Sequence, residues 1–202
     1  MKLLIIAGFL GSGKTTLLLH IAKKLSQASH KVVIIENEMG QVGIDGEYLR
    51  LNGLEVQELF GGCICCTLSS SLIETMAKVK NSYAPDIIVL EATGAARPGD
   101  ITANIKSLQK DEYEINVITI VDAVRFHMLM EMMEPLLAAQ IEAGDIIVLN
   151  KIDGMDKKTI EQIKEKIFNV SPHVRVKALS CENKSQVNDF TANMNKFIEV
   201  LP

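Results

Sequence analysis

The sequence has no apolar run approaching 18 residues, no Lys/Arg cluster longer than the pairs Lys23-Lys24 and Lys157-Lys158, no internal repeat and no low-complexity tract. The first absence argues against a membrane-spanning helix. The second, with a net charge of −4, removes the electrostatic footprint that nucleic acid or an anionic membrane would require of a partner. No linker composition divides the chain, so a single domain over residues 1–202 is expected. The chain opens directly in an apolar run, leaving no room for a removable signal peptide, and a cytoplasmic location is expected. In that compartment Cys63, Cys65, Cys66 and Cys181 are expected as thiols, metal ligands or redox groups rather than structural disulfides.

What is present is a globular composition, 48% hydrophobic and 23% charged, with enough chain to bury a sizeable core. Short continuous apolar runs at Leu3 to Ala7, Val32 to Ile35, Ile87 to Leu90, Val117 to Val121 and Ile146 to Leu149 read as strands buried on both faces. Leu54 to Leu59 alternates, as an edge strand would. A last strand is expected over Val174 to Leu179. Helical spacing separates them: Leu17, Leu18, Ile21, Ala22 and Leu25, then roughly 67–80, 98–109, 123–142 with an interruption at Pro135, 156–168 and 187–200. The alternation predicts an α/β phosphate-loop fold, a mostly parallel sheet covered by helices on both faces.

Residues Gly8-Phe9-Leu10-Gly11-Ser12-Gly13-Lys14-Thr15-Thr16 fit G-x-x-x-x-G-K-[ST] between a strand and a helix. Backbone N–H groups must wrap a polyphosphate closely, and Gly8, Gly11 and Gly13 leave the room. The helix aims its positive end at the anion. Lys14 suits the β- and γ-phosphates and the Thr15 hydroxyl suits Mg²⁺.

Parallel sheets hold ligands beyond the carboxyl ends of their strands, which makes the residues there the ones to inspect. Glu36 to Gly46 carries Glu36, Glu38 and Asp45 among glycines, the composition of a loop that can approach phosphate or Mg²⁺. Glu91 follows another run as a candidate Mg²⁺ group, and Gly94 can offer a backbone N–H to a γ-phosphate. Asn150-Lys151-Ile152-Asp153 follows a third. Guanine presents two adjacent donors that one carboxylate accepts, so Asp153 implies GTP, with Asn150 and Lys151 bracing the base. Ser180 and Cys181 are the expected second wall of that pocket. Glu38, Asp45 and Glu91 are the candidates for positioning the hydrolytic water.

Cys63, Cys65 and Cys66 follow Gly61-Gly62. Thiolates favour Zn²⁺, Cu⁺ and similar ions while Mg²⁺ prefers oxygen, so two distinct metal sites are expected. A further ligand would come from Glu36, Glu38, water or a second subunit; a redox switch and simple packing are the other readings. His20, His30, His127 and His173 show no ligand spacing. Met128, Met130, Met132 and Met133 read as helix packing or an adaptable interface.

The combination G-F-L-G-S-G-K-T-T, E-N-E-x-G-x-V-G-I-D, G-G-C-I-C-C, E-A-T-G, Val121-Asp122-Ala123 and Q-I-E-x-G-D-I-I-V-L-N-K-I-D closely resembles the GTPase domain of CobW-like proteins, relatives of HypB-like and UreG-like GTPases. The resemblance runs from residue 1 to about 182. It implies slow GTP hydrolysis to GDP, Zn²⁺ or Co²⁺ held at the cysteines, and delivery to a client metalloprotein or cofactor-assembly protein. It also implies a first switch at Asp45 and a second at Glu91 to Gly94. No CobW-type C-terminal domain is expected in this chain, Met39 stands where Phe is frequent, and Ala95-Ala96-Arg97 departs from the usual run. Two functional classes result: a metallochaperone GTPase, closing its site within one chain or across a homodimer, or a nucleotide-gated partner switch or reactivase for a corrinoid or metalloenzyme.

Overall fold

The computed structural model describes residues 1–36, 55–58, 68–108 and 112–192. Seven strands are placed: β1 (Lys2–Gly8), β2 (Val32–Glu36), β3 (Glu55–Glu58), β4 (Ile87–Glu91), β5 (Glu114–Asp122), β6 (Ile146–Asn150) and β7 (Arg175–Ala178). Every pairing among them is parallel, in the order β3-β2-β4-β1-β5-β6-β7. Within the alternating 54–59 segment, Glu55–Glu58 forms a strand at the edge of the described sheet, and the continuous apolar runs lie inside it, where both faces are covered.

The helices are α1 (Lys14–Gln27), α2 (Leu68–Tyr83), α3 (Pro98–Leu108), α4 (Phe126–Met132), α5 (Glu134–Glu142), α6 (Lys157–Val170) and α7 (Lys184–Ala192). Alternate strand residues feed different layers. Leu4, Ile6, Ile34, Val89, Ile118 and Val148 pack with α1 and α7, while Ile5, Ile35, Ile88 and Leu90 pack with α2 and α3. Farther along the sheet, Val121, Ile147 and Leu149 pack with α4, α5 and α6. Helices therefore cover both faces, as the alternation predicts.

α1 shows what fixes a helix here. Its N-cap, Gly13, makes no side-chain capping bond, a deficit of roughly a few tenths of a kcal/mol relative to a Ser or Asp cap. Against this, Leu17, Leu18, Ile21 and Leu25 are fully buried, each contributing about 1.5–3 kcal/mol of transfer free energy. Packing wins, which leaves the first-turn N–H groups free of side-chain caps for an incoming anion. The interruption expected at Pro135 lies at Met133, which ends α4 and caps α5, with Pro135 in the first turn of α5.

The methionines divide. Met130 packs against the core, but Met128, Met132 and Met133 are 46%, 71% and 44% exposed, so the packing expectation holds for only one of the four. The last helix starts at Lys184, earlier than the sequence spacing suggests, and residues 193–202 lie outside the described part.

Candidate nucleotide site

β1 delivers the chain into the Gly8–Thr16 loop at the carboxyl end of the sheet, between β4 and β5. Gly8, Gly11 and Gly13 all adopt positive φ (136°, 70° and 103°), a region that L side chains rarely enter. A Cβ on Gly8 would run into the Ile120 carbonyl, and one on Gly13 into the Asn150 amide. Gly8 and Gly13 are therefore required twice over, by backbone conformation and by close approach, and Gly11 by conformation alone.

Four consecutive loop carbonyls are each held by a donor. Phe9 O accepts from Lys14 Nζ (3.3 Å) and from Ser12 N (3.1 Å). Leu10 O accepts from Arg125 Nη2 at 2.7 Å and Gly11 O from Lys151 Nζ at 2.6 Å. Ser12 O accepts from Asn150 Nδ2 at 2.7 Å, and Asn150 Oδ1 accepts in turn from Cys181 N at 2.8 Å. The Ser12 residue is fully buried. Asn150 and Lys151, expected to brace a base, are thus the side chains that hold the phosphate loop from behind.

Asp122, at the end of β5, joins two of these clamps. Its carboxylate accepts from Lys151 Nζ (2.8 Å), Arg125 Nε (2.8 Å) and Arg125 N (3.1 Å), and its side chain is 1% exposed. Burial pushes this carboxyl up, but the bonds from Lys151 and Arg125 outweigh burial and hold it below its ordinary 3.8.

On the other side of the loop, Thr15 Oγ1 donates to both Glu91 oxygens, at 2.8 and 3.0 Å. Glu91 is 5% exposed, and Glu36, 6% exposed, stands in register with it on β2. The Thr15 hydroxyl keeps its lone pairs, and a buried carboxylate sits against it, so the pair is an all-oxygen donor set next to the phosphate loop. It fits Mg²⁺, which binds through few protein oxygens. Gly94 packs directly on the loop: a Cβ there would lie 2.6 Å from Leu10 N.

These elements surround a cavity of about 560 Å³, lined by Gly11, Gly13, Lys14, Thr15 and Thr16 at one end and by Asn150, Lys151, Asp153, Ser180 and Cys181 at the other. The volume falls within the ~300–1,000 Å³ typical of ligand clefts. Asp153 is exposed at its rim. Ser180 N is held by Gln186 Oε1 at 2.7 Å. Burial pushes the Cys181 thiol up to about 12, so it is a pocket wall with no thiolate character.

Glu38, Asp45, Cys63, Cys65 and Cys66 lie outside the described residues. Among the described residues no group of three His, Cys, Asp or Glu side chains could hold a metal ion. Two residues escaped the sequence reading as site groups, Asp122 and Arg125. The strand-end rule pointed at Asp122, since it closes β5 directly beside β1. Arg125 stands at the start of α4 with no local signal.

The fold and the loop define a phosphate-loop nucleotide-binding protein. Residues 2–177 match the family "CobW/HypB/UreG, nucleotide-binding domain", and the chain belongs to that family, which is one of GTPases. It is 31% identical over 193 residues to the zinc chaperone CobW of a Sinorhizobium species, covering 81% of this chain and 54% of that protein. It is 33% identical over 182 residues to the zinc chaperone YjiA of Escherichia coli K12, covering 85% and 55%. The solved structure of Zn(II)-bound YjiA GTPase from E. coli superposes with a TM-score of 0.63 at 28% identity, covering 89% of this chain and 57% of that one. The chain thus spans about half the length of the curated relatives it matches.

Proposed function

We propose that this chain is a single metallochaperone GTPase domain of the cytoplasm. It binds GTP with Mg²⁺, hydrolyses it slowly, holds Zn²⁺ or Co²⁺ through Cys63, Cys65 and Cys66, and passes that ion to a client metalloprotein or cofactor-assembly protein. The observation that carries the reading is the convergence, in one cavity, of the clamped phosphate loop, the Thr15–Glu91 oxygen pair and Asp153. The two relatives described as zinc chaperones support the choice of cargo.

Each end of the cavity has its own task. The loop N–H groups and Lys14 hold the β- and γ-phosphates, and Asp153 accepts the two guanine donors that adenine lacks. Thr15 and Glu91 would hold Mg²⁺, which supplies charge neutralisation on the phosphate oxygens. Hydrolysis breaks the bond from the γ-phosphorus to the β–γ bridging oxygen as water adds to phosphorus, leaving GDP and phosphate. Such a transfer rests mainly on positioning and electrostatics, which this rigid loop is built to provide. Glu38, Asp45 and Glu91 are the water-positioning candidates. Cys63 to Cys66 lie in sequence between the two switch segments, so γ-phosphate contacts would close the thiol site, across a dimer where a second chain supplies a ligand.

The test is a titration of purified protein with Zn²⁺ and Co²⁺, with GDP, with a non-hydrolysable GTP analogue and without nucleotide, following thiolate absorbance and molecular mass together. Tighter binding in the triphosphate state is expected. Equal affinity in all three conditions would sink the coupling of nucleotide to metal.

A further inference from the structure

Gln140 lies in the last turn of α5 and is fully buried. Its Nε2 donates to Ala96 O at 2.9 Å and Gly94 O at 3.2 Å, the two carbonyls that follow the Glu91-Ala92-Thr93 strand end. Its own backbone carbonyl accepts from the fully buried Thr119 hydroxyl at 2.7 Å, which pins this point of the helix to β5. Both side-chain partners are carbonyl oxygens, so the amide nitrogen must face them and Oε1 must point away. Oε1 is buried there with no partner, and so is the hydroxyl of Thr93, one residue before Gly94. A buried acceptor and a buried hydroxyl without a protein partner thus lie on the two segments that the Gln140–Gly94 bond joins.

The same segment closes a ring. Gly94 abuts Leu10 of the phosphate loop. Leu10 O is held by Arg125, which caps α4; α4 runs through Met133 into α5; and α5 carries Gln140 back to Gly94. The α4–α5 pair is thereby tied at both ends to two adjacent points of the nucleotide site. One tie is to the fixed loop and the other is to the segment next to the γ-phosphate position.

We propose that Gln140 is a positioning residue that transmits the nucleotide state to the α4–α5 pair. Movement of Gly94 toward a γ-phosphate withdraws its carbonyl from Nε2 and shifts the purchase of α5, while a diphosphate leaves the arrangement as described. The unpaired Oε1 and Thr93 hydroxyl are the groups available to form new bonds in the shifted state. This inference rests on the reading of the cavity as a GTP site, and it assigns the direction in which that site reports.

The experiment compares wild type with Gln140→Met, which keeps length and apolar bulk but removes the donor. Hydrogen exchange is followed over residues 126–142, with GDP and with a non-hydrolysable GTP analogue. In wild type the two nucleotides are expected to give different protection there. In Gln140→Met that difference disappears, the preference for triphosphate over diphosphate changes by about fivefold or more, and GDP affinity stays within twofold of wild type. A purely structural role would instead weaken both nucleotides together. If both nucleotides bind wild type and residues 126–142 exchange identically, the inference is overturned while the GTP reading stands. If neither binds, the GTP reading falls and takes the inference with it. Should Gln140→Met not fold, Gln140→Leu removes the donor with a smaller apolar side chain; a surviving nucleotide-dependent difference in that variant overturns the proposal.

Discussion

Replacing Asp122 by Asn tests the clamp behind the phosphate loop. The wild-type carboxylate accepts two charged side-chain bonds and one backbone bond in a site where it is 1% exposed. Arg125 Nε and Lys151 Nζ both reach Oδ2 while Oδ1 takes only Arg125 N, so an amide that keeps its oxygen toward the cations turns its N–H₂ against that backbone N–H; the backbone bond is lost and both cations face an uncharged acceptor, about 1.5–3 kcal/mol in all. The Arg125 and Lys151 side chains are 37% and 43% exposed and recover solvation when released, which reduces the net loss to about 1–2 kcal/mol. For a chain of this size that is roughly a 3–6 °C fall in unfolding midpoint. GDP affinity should fall about five- to tenfold, because Gly11 O and Leu10 O lose the orientation of their donors.

The sign with pH is fixed by the direction of the shift. Asp122 in the folded chain lies below its ordinary 3.8. Its contribution is therefore complete above that value and is lost as pH falls through the folded-state pKa. Urea unfolding of wild type and Asp122→Asn should differ by the full amount at pH 7 and at pH 5, and the gap should narrow on acidification below about pH 4. Equal stabilities at pH 7 together with an unchanged GDP affinity would refute the reasoning, because the clamp would then contribute nothing.

Two further outcomes follow from the cavity. Asp153→Asn presents a donor where guanine also donates; GTP affinity should drop about 10–100-fold, with a gain for XTP, measured by competition against labelled GDP. Unchanged GTP affinity would remove the guanine assignment. Cys181, its thiol pushed up to about 12 by burial, should resist iodoacetamide at pH 8 in the folded protein and react after unfolding, as mapped by peptide mass; alkylation of the native protein at the unfolded rate would contradict its burial.

The phosphate loop was legible because its chemistry is local: Gly8, Gly11 and Gly13 carry the conformational requirement and Lys14-Thr15 the phosphate and metal groups within nine residues. The sheet was legible because strands covered on both faces must be apolar throughout, as Ile87 to Leu90 and Ile146 to Leu149 are. What the residues could not show was strand order. Arg125 reaches Leu10, and Lys151 reaches Gly11, only because β5 lies next to β1 and β6 next to β5. Gln140 illustrates the same limit: a polar side chain in a helix reads as solvent-facing until the turn after β4 is seen to run beneath it. Gly94 was expected as a backbone N–H donor to a γ-phosphate, and the structure adds a steric reason for a glycine there, contact with Leu10.

The four clamped carbonyls of Phe9, Leu10, Gly11 and Ser12 have a consequence for the thermodynamics of loading. A loop whose oxygens are already tied down has little backbone freedom left to surrender when a ligand arrives, so the ordering entropy has been met at folding rather than at binding. Association should then be fast and nearly free of slow rearrangement at this loop. The empty and the filled loop will have almost the same shape. A part that does not change shape carries no message, so whatever tells a partner which nucleotide is bound has to leave the site through segments less tightly held.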